Sequence, residues 1–278
     1  MKTRAITGFF FVIVMVGSNL LGHYVFGGFY LLLSLFCVYE FYGLVKQHTA
    51  TPNAYMGILN GALLYIAFAF ITYANTYALA SLHDALGYKL LFLVPLSIGG
   101  IFIHELFRKK DHPFTNIAFT LLGIVLTVVP FIFFHALAYL HGGFNFHIPL
   151  AFLIMLWAND TGAYLSGRAF GRHKLFERHS PKKTWEGFIG GVLISAGVAI
   201  IISHFYSEMP WPQWVGMAVI IGTFGTMGDL VESMFKRSIN VKDSGGILPG
   251  HGGLLDRFDG LFIAAPMVYT YLYLISNM

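Results

Sequence analysis

Apolar positions run along this chain in long, nearly unbroken stretches, and polar positions collect between them. Nine stretches approach the roughly 20 apolar residues that a membrane-spanning helix needs. They are Ile6–Leu21, Phe26–Leu44, Tyr55–Tyr73, Leu90–Phe107, Phe119–Leu140, His147–Leu165, Phe188–Phe205, Trp214–Phe235 and Leu261–Ile275. The first has a basic start and an apolar run, like a secretory leader. No small-x-small cleavage site follows it, and eight further spans do, so an uncleaved first helix is expected.

Charge placement tests this division independently. Of the 17 Lys and Arg residues, all but Lys89 fall before the first span or after spans two, four, six and eight. One face of the bilayer therefore carries the basic side chains. The positive-inside rule puts the amino terminus in the cytoplasm and the carboxyl terminus outside, which requires an odd number of spans. Composition agrees, with 56% hydrophobic, 17% aromatic and only 11% charged residues. Too much apolar surface is present for a water-soluble core to hide. The expected fold is an all-α integral membrane protein with about nine transmembrane helices. Residues 1–145 would form a five-helix scaffold, and residues 146–278 a four-helix region carrying the chemistry. The lone Cys37 excludes a disulfide framework. The formal charge of +4 reflects the membrane-side bias, so no nucleic-acid partner is expected.

Few polar residues interrupt the first five spans. Glu40 and Glu105 fall near span ends, where a carboxylate reaches water at little cost, and are read as boundary charges. His23, His83, His141 and His204 lie near the opposite ends without metal-ligand spacing. The sixth span differs, because Asn159 and Asp160 stand inside it. An ionisable group within a span is costly unless it is paired or wet, so Asp160 is a candidate site residue. Asn159-Asp160-Thr161 matches a glycosylation sequon but sits at the cytoplasmic boundary.

The following loop reads Ser180-Pro181-Lys182-Lys183-Thr184-Trp185-Glu186-Gly187. Ser180-Pro181 is expected to start a turn or a helix. Backbone amides at a helix start, with two lysines, form a ready anion site. Glu186 suits the first helical turn. The Gly187, Gly191, Ser195 spacing, and that of Gly222, Gly225 and Gly228, permits close helix packing in lipid.

Charge concentrates between Gly228 and Gly260. Asp229, Glu232, Asp243, Asp256 and Asp259 share 33 residues with Lys236, Arg237, Lys242 and Arg257. Asp229 and Glu232 are three apart and share a helical face, with Lys236 one turn further on. Asp256 and Asp259 repeat the three-residue spacing at the entry to the ninth span. Two acidic pairs at one membrane depth would suit a hard cation such as Mg2+, usually held by one or two carboxylates plus substrate phosphates. The glycines around His251 (Gly245-Gly246, Gly250, Gly252-Gly253) let backbone approach a ligand closely, and the cations can neutralise a polyphosphate. This is equipment for phosphoryl or nucleotidyl transfer. No Walker motif and no G-x-G-x-x-G is present.

Ser233-x-Phe235-Lys236-Arg237, Lys242-Asp243-x-Gly245, Leu248-Pro249-x-His251-Gly252-Gly253-Leu254 and Asp256-Arg257-Phe258-Asp259 together resemble the pattern of the phosphatidate cytidylyltransferase (CDP-diacylglycerol synthase) family. The upstream segments Ser180 to Gly187 and Asn159 to Tyr164 resemble it too; residues 1–145 do so only in hydrophobic character. The resemblance implies Mg2+-dependent transfer from CTP to phosphatidic acid, giving CDP-diacylglycerol and pyrophosphate for phospholipid synthesis. On that reading Asp229, Asp256, Glu232 and Asp259 hold or orient magnesium, with Asp243 in support. Lys236, Arg237, Lys242 and Arg257 bind phosphates, and Lys182, Lys183 and Ser180 lie on the CTP side. Asp160, His251, Gly252 and Gly253 are further members. A second cation such as K+, a homodimer, and a place in the bacterial inner membrane with the site facing the cytoplasm belong to the same expectation.

Two rivals remain at this stage. A CTP-dependent polyprenol kinase would transfer the γ-phosphate and release CDP. A transporter of a phosphorylated solute would use Asp160, Asp229 and Glu232 within the membrane, although no internal repeat of the kind common in transporters is visible.

Overall fold

The computed structural model describes residues 2–77, 83–245 and 252–276. Its helices are α1 (Lys2–Leu20), α2 (His23–His48), α3 (Ala54–Tyr77), α4 (His83–Arg108), α5 (Pro113–Leu137), α6 (His147–Phe170), α7 (Trp185–Phe205), α8 (Trp211–Ser238) and α9 (Leu255–Ser276). Among the described residues, eight helices are long and apolar enough to cross a membrane, while the apolar part of α1, Ile6–Leu20, is shorter. The protein is an all-α integral membrane protein. Among the described residues one antiparallel hairpin forms, β1 (Lys174–Phe176) and β2 (Ser180–Thr184).

Two compact units divide the chain. One comprises Met1–Phe144 and Ile239–Asp256, the other Asn145–Ser238 and Arg257–Met278. In the first, aromatic side chains of α2 and α5 interlock. Phe26, Tyr30, Phe131 and Phe134 are fully buried, and the Tyr30 and Phe134 ring centroids lie 4.8 Å apart. The Tyr42 hydroxyl donates to the Thr120 carbonyl at 2.5 Å. Gly57 and Gly123 face that ring so closely that a Cβ at either would collide with it. Helix α5 contains a π turn at Ile124–Val128, where the Val129 N–H reaches the Ile124 carbonyl. Pro130 follows, and its missing N–H would leave an α-helical carbonyl without a donor, so the widened turn falls where the ladder is interrupted.

Glu105 is not a boundary charge at the water surface. It is 2% exposed, pairs with Arg108 at 2.7 Å and accepts from Asn116 Nδ2 at 2.7 Å. Asn116 in turn accepts the Thr51 N–H at 2.8 Å. Glu105 therefore ties α4, α5 and the α2–α3 loop together.

The second unit is built on small-residue contacts. A Cβ at Gly187 would meet the Ala163 carbonyl, and one at Gly191 the Asn159 carbonyl, both at 2.8 Å. Ser195 donates to the Met155 carbonyl at 3.0 Å. Gly222 packs on Val192 and Asn159, and Gly228 on the Asp259 carbonyl. With no hydrophobic drive between helices in lipid, such close backbone approach supplies the packing.

Ser180-Pro181 starts neither a turn nor a helix. Ser180–Thr184 is a strand, and α7 begins afterwards at Trp185. Proline is tolerated there because a two-stranded hairpin has only edge strands. Thr184 caps α7 by accepting the Gly187 N–H at 3.1 Å. Glu186, in the first turn of α7, reaches back instead. It accepts from the Arg172 N–H at 3.0 Å and the His173 N–H at 3.2 Å, clasping the entry to the hairpin.

Candidate active site

The second unit carries a cleft of about 400 Å³ lined by α6, β2, α7 and α8. Helix α6 contributes Asp160, Tyr164 and Arg168, at successive i, i+4 positions and hence on one face. Strand β2 contributes Lys182 and Lys183, and α8 contributes Thr226 and Asp229. Lys183 Nζ stands 2.6 Å from Asp229 Oδ2, a charge-assisted contact between strand and helix. Two carboxylates and two ammonium groups thus share one opening. Ser180, expected beside them, lies at the far end of β2 and outside the lining. Tyr164 and Arg168 were legible as neighbours of Asp160 from their spacing alone.

An apolar pocket of about 470 Å³ adjoins the cleft. Leu175, Phe188 and Thr226 line both. Met227, Leu230 and Met234 of α8 and Trp185 of α7 form much of the remaining wall. Polar and apolar ligand groups placed in the two would lie side by side.

Further along α8, Glu232 and Lys236 pair at 2.5 Å with their side chains 6% and 12% exposed. A buried carboxylate is tolerated only with such a partner. Lys236 and Arg237 occupy the last turn of α8, where positive charge complements the helix dipole. Asp259, half-buried on α9, accepts the Gly260 N–H at 2.7 Å, and Arg257 is exposed.

Asp256 belongs to the first unit, whereas Asp229, Glu232, Asp259, Lys236, Arg237 and Arg257 belong to the second. Within the first unit the Asp256 carboxylate accepts the Ser244 and Gly253 N–H groups, each at 3.1 Å. Lys242 and Asp243 are exposed just before Ser244. Gly252 has φ +82°, and a Cβ there would press on the Asp256 carboxylate. Here glycine is required by both conformation and space. His251 lies outside the described residues.

Glu40 was missed. It is 7% exposed, and its Oε2 accepts the Leu255 N–H at 2.8 Å and the Ser244 hydroxyl at 3.5 Å. A Cβ on Gly253 would meet both Glu40 Oε1 and Ser244 Oγ. The 215-residue separation along the chain hides this contact from sequence. The only available signal was a carboxylate in a span otherwise free of acids.

The donor chemistry suits a hard cation. Asp160 and Asp229 present carboxylate oxygens to one cleft. Among the described residues no cluster of three or more His, Cys, Asp or Glu could hold a metal by protein ligands alone. Magnesium fits such a sparse set, because it keeps waters and takes substrate phosphates as ligands.

Comparison with known proteins bears on the family. A protein named phosphatidate cytidylyltransferase from Staphylococcus aureus (strain COL) is 40% identical over 167 residues, 59% of this chain and 62% of the relative. One of the same name from Staphylococcus haemolyticus (strain JCSC1435) is 41% identical over 167 residues, with the same coverage. The aligned part thus spans less than two thirds of these relatives. The sequence model of the Cytidylyltransferase family, by contrast, matches residues 2–275, nearly end to end. By that match the chain belongs to the cytidylyltransferase family.

Proposed function

We propose that this protein transfers the cytidylyl group of CTP to phosphatidic acid, forming CDP-diacylglycerol and releasing pyrophosphate. The observation that carries the reading is the shared wall between a charged cleft and an apolar pocket. A reaction joining a nucleotide to a lipid needs that adjacency. The relatives named phosphatidate cytidylyltransferase support it.

A non-bridging oxygen of the lipid phosphate attacks the α-phosphorus of CTP. The new P–O bond completes a phosphoanhydride, the bond from the α-phosphorus to the bridging oxygen breaks, and pyrophosphate departs with the electron pair. A phosphate monoester is already ionised at neutral pH, so no strong general base is needed. Both reactants are anions, and their repulsion is the main obstacle. Lys182 and Lys183 screen the phosphates, and Lys183 exchanges its contact with Asp229 for one with the nucleotide. Arg168, at the rim, adds a further cation. Asp160 and Asp229 would hold Mg2+, which when bound supplies charge neutralisation on the triphosphate. Asp256 and Asp259, with Lys236, Arg237, Lys242 and Arg257, belong to the sequence motif that carries the family resemblance, and Glu232 stands directly before it. Acyl chains rest in the apolar pocket and reach it laterally from the bilayer. The gathering of basic residues on one face supports a cleft that opens on the cytoplasmic side of the membrane.

The test is pyrophosphate release by purified protein in detergent with CTP, phosphatidic acid and Mg2+, each omitted in turn. Release that requires all three supports the reading. Release of CDP instead, with a lipid alcohol as acceptor, overturns it in favour of a lipid kinase. Solute uptake into proteoliposomes without pyrophosphate release overturns it in favour of a transporter.

A further inference from the structure

We infer that Glu40 is a positioning residue that sets the orientation of the Asp256 carboxylate from α2, by capping the helix on which Asp256 stands. The inference rests on the functional reading above for its consequence, though not for its geometry.

Helix α9 begins at Leu255, and the first N–H groups of any helix lack intrahelical partners. Normally a Ser, Thr, Asp or Asn just before the helix accepts one of them. The residues before Leu255 are Gly252, Gly253 and Leu254, none of which offers a side-chain acceptor. Glu40 supplies it from α2, with Oε2 2.8 Å from the Leu255 nitrogen. A carboxylate in this place also meets the positive end of the helix dipole.

The same turn holds Asp256. Its carboxylate accepts the Gly253 and Ser244 N–H groups, while the Ser244 hydroxyl donates to Glu40. The two acids therefore clamp residue 244 on one side and residues 253–255 on the other, closing both ends of the glycine-rich loop. Every contact lies within the first unit. Gly253 is fitted to this clamp, because any side chain there would strike Glu40 and Ser244. Glu40 makes these contacts inside the first unit, so its effect on the reaction runs through the backbone that orients Asp256. Ligand-orienting partners of this kind typically change activity by about 10–100-fold.

Three variants of the full-length protein separate this role from simple stability. Glu40→Gln keeps an acceptor oxygen for the Leu255 N–H, Glu40→Ala removes it, and Asp256→Asn gives the reference. Two readouts are taken in detergent: pyrophosphate release with varied Mg2+, and amide hydrogen exchange followed by mass spectrometry. Glu40→Ala is expected to lower kcat about 10–100-fold, to raise the Mg2+ needed for half-maximal rate, and to speed exchange in residues 252–258 with other helices unchanged. Glu40→Gln should stay within a few-fold of wild type in both. In the Asp256→Asn background, Glu40→Ala should add little, as expected for residues acting as one unit. The inference is overturned if Glu40→Ala keeps wild-type kcat and exchange, if Glu40→Gln is as damaging as Glu40→Ala, or if exchange rises uniformly along the chain. Should wild-type protein release no pyrophosphate, the functional reading fails, while the exchange data still decide the cap.

Discussion

Lys183 on strand β2 and Asp229 on helix α8 form an ion pair at 2.6 Å, each side chain only partly exposed. The pair joins strand to helix within the cleft lining, each charge offsetting the other. On the proposed function its cation would meet a phosphate and its carboxylate a metal. Lys183→Ala is expected to cut kcat/KM for CTP by about 10²–10³-fold, the loss usual for one donor aimed at developing phosphate charge. Asp229→Asn should act similarly, with excess Mg2+ failing to restore it. Lys183→Arg should recover part of the rate, since the charge remains while the compact ammonium becomes a planar fork. Steady-state pyrophosphate release checks all three. Wild-type rates for Lys183→Ala would remove the cleft from the mechanism.

The glycines of the loop make a sharper structural prediction. A Cβ on Gly253 has no room between Glu40 and Ser244, whereas one on Gly43, within α2, meets nothing within 4 Å. Gly253→Ala should therefore abolish most activity. Gly43→Ala should leave activity unchanged and raise thermal stability slightly, by about 0.4–1 kcal/mol, since alanine restricts the unfolded chain. Melting and activity of both variants, measured side by side, test the contrast. Equal tolerance at the two positions would contradict the clamp.

These two regions also show what the sequence could and could not reveal. Asp229, Glu232 and Lys236 were legible as one face because helical spacing is local, and α8 carries them all. The basic pair Lys182-Lys183 was legible as two adjacent cations, and both line the cleft. Its strand was not, because segments of three and five residues are too short to display alternation, and Pro181 is as common at helix starts as at sheet edges. Glu40 and Glu105 were misread for a different reason. Their distance from water depends on partners contributed by other helices, Leu255 in one case and Asn116 in the other. Periodicity within one span carries no record of such partners.

Away from the cleft, Glu208 offers a prediction about pH. Partial burial raises its carboxyl, but hydrogen bonds from Asn145 and His147 outweigh that and hold it below the ordinary value. Asn145 Nδ2 donates to it at 2.9 Å. A depressed folded-state value contributes stability that is present above the unfolded value, about 4.3 for Glu. That stability is lost as pH falls through the folded value. Glu208→Gln should thus melt slightly below wild type at pH 7, by no more than about 1 kcal/mol for a surface contact. The difference should shrink under acid conditions, below about pH 4. Melting curves at the two pH values decide it. A gap that widens in acid would reverse the sign and refute the assignment.

The apolar pocket beside the cleft yields the most direct test of a lipid substrate. Met227, Leu230 and Met234 lie on the α8 wall, roughly one turn apart, and Met227 and Met234 are 49% and 47% exposed. A pocket open in this way can receive a chain from the bilayer without any polar group being stranded. Filling it with a rigid indole, as in Leu230→Trp, should hinder a long acyl chain while leaving the charged cleft intact. The expected signature is a split between substrates. KM for a phosphatidic acid with long chains should rise about tenfold or more, because each buried methylene contributes about 0.8 kcal/mol and two lost methylenes suffice. KM for CTP, and the rate with a short-chain phosphatidic acid, should stay near wild type. Such selectivity follows only if the tail occupies this pocket, since a general packing defect would depress both lipids and the nucleotide together. Equal losses with long and short chains would place the acyl chains elsewhere.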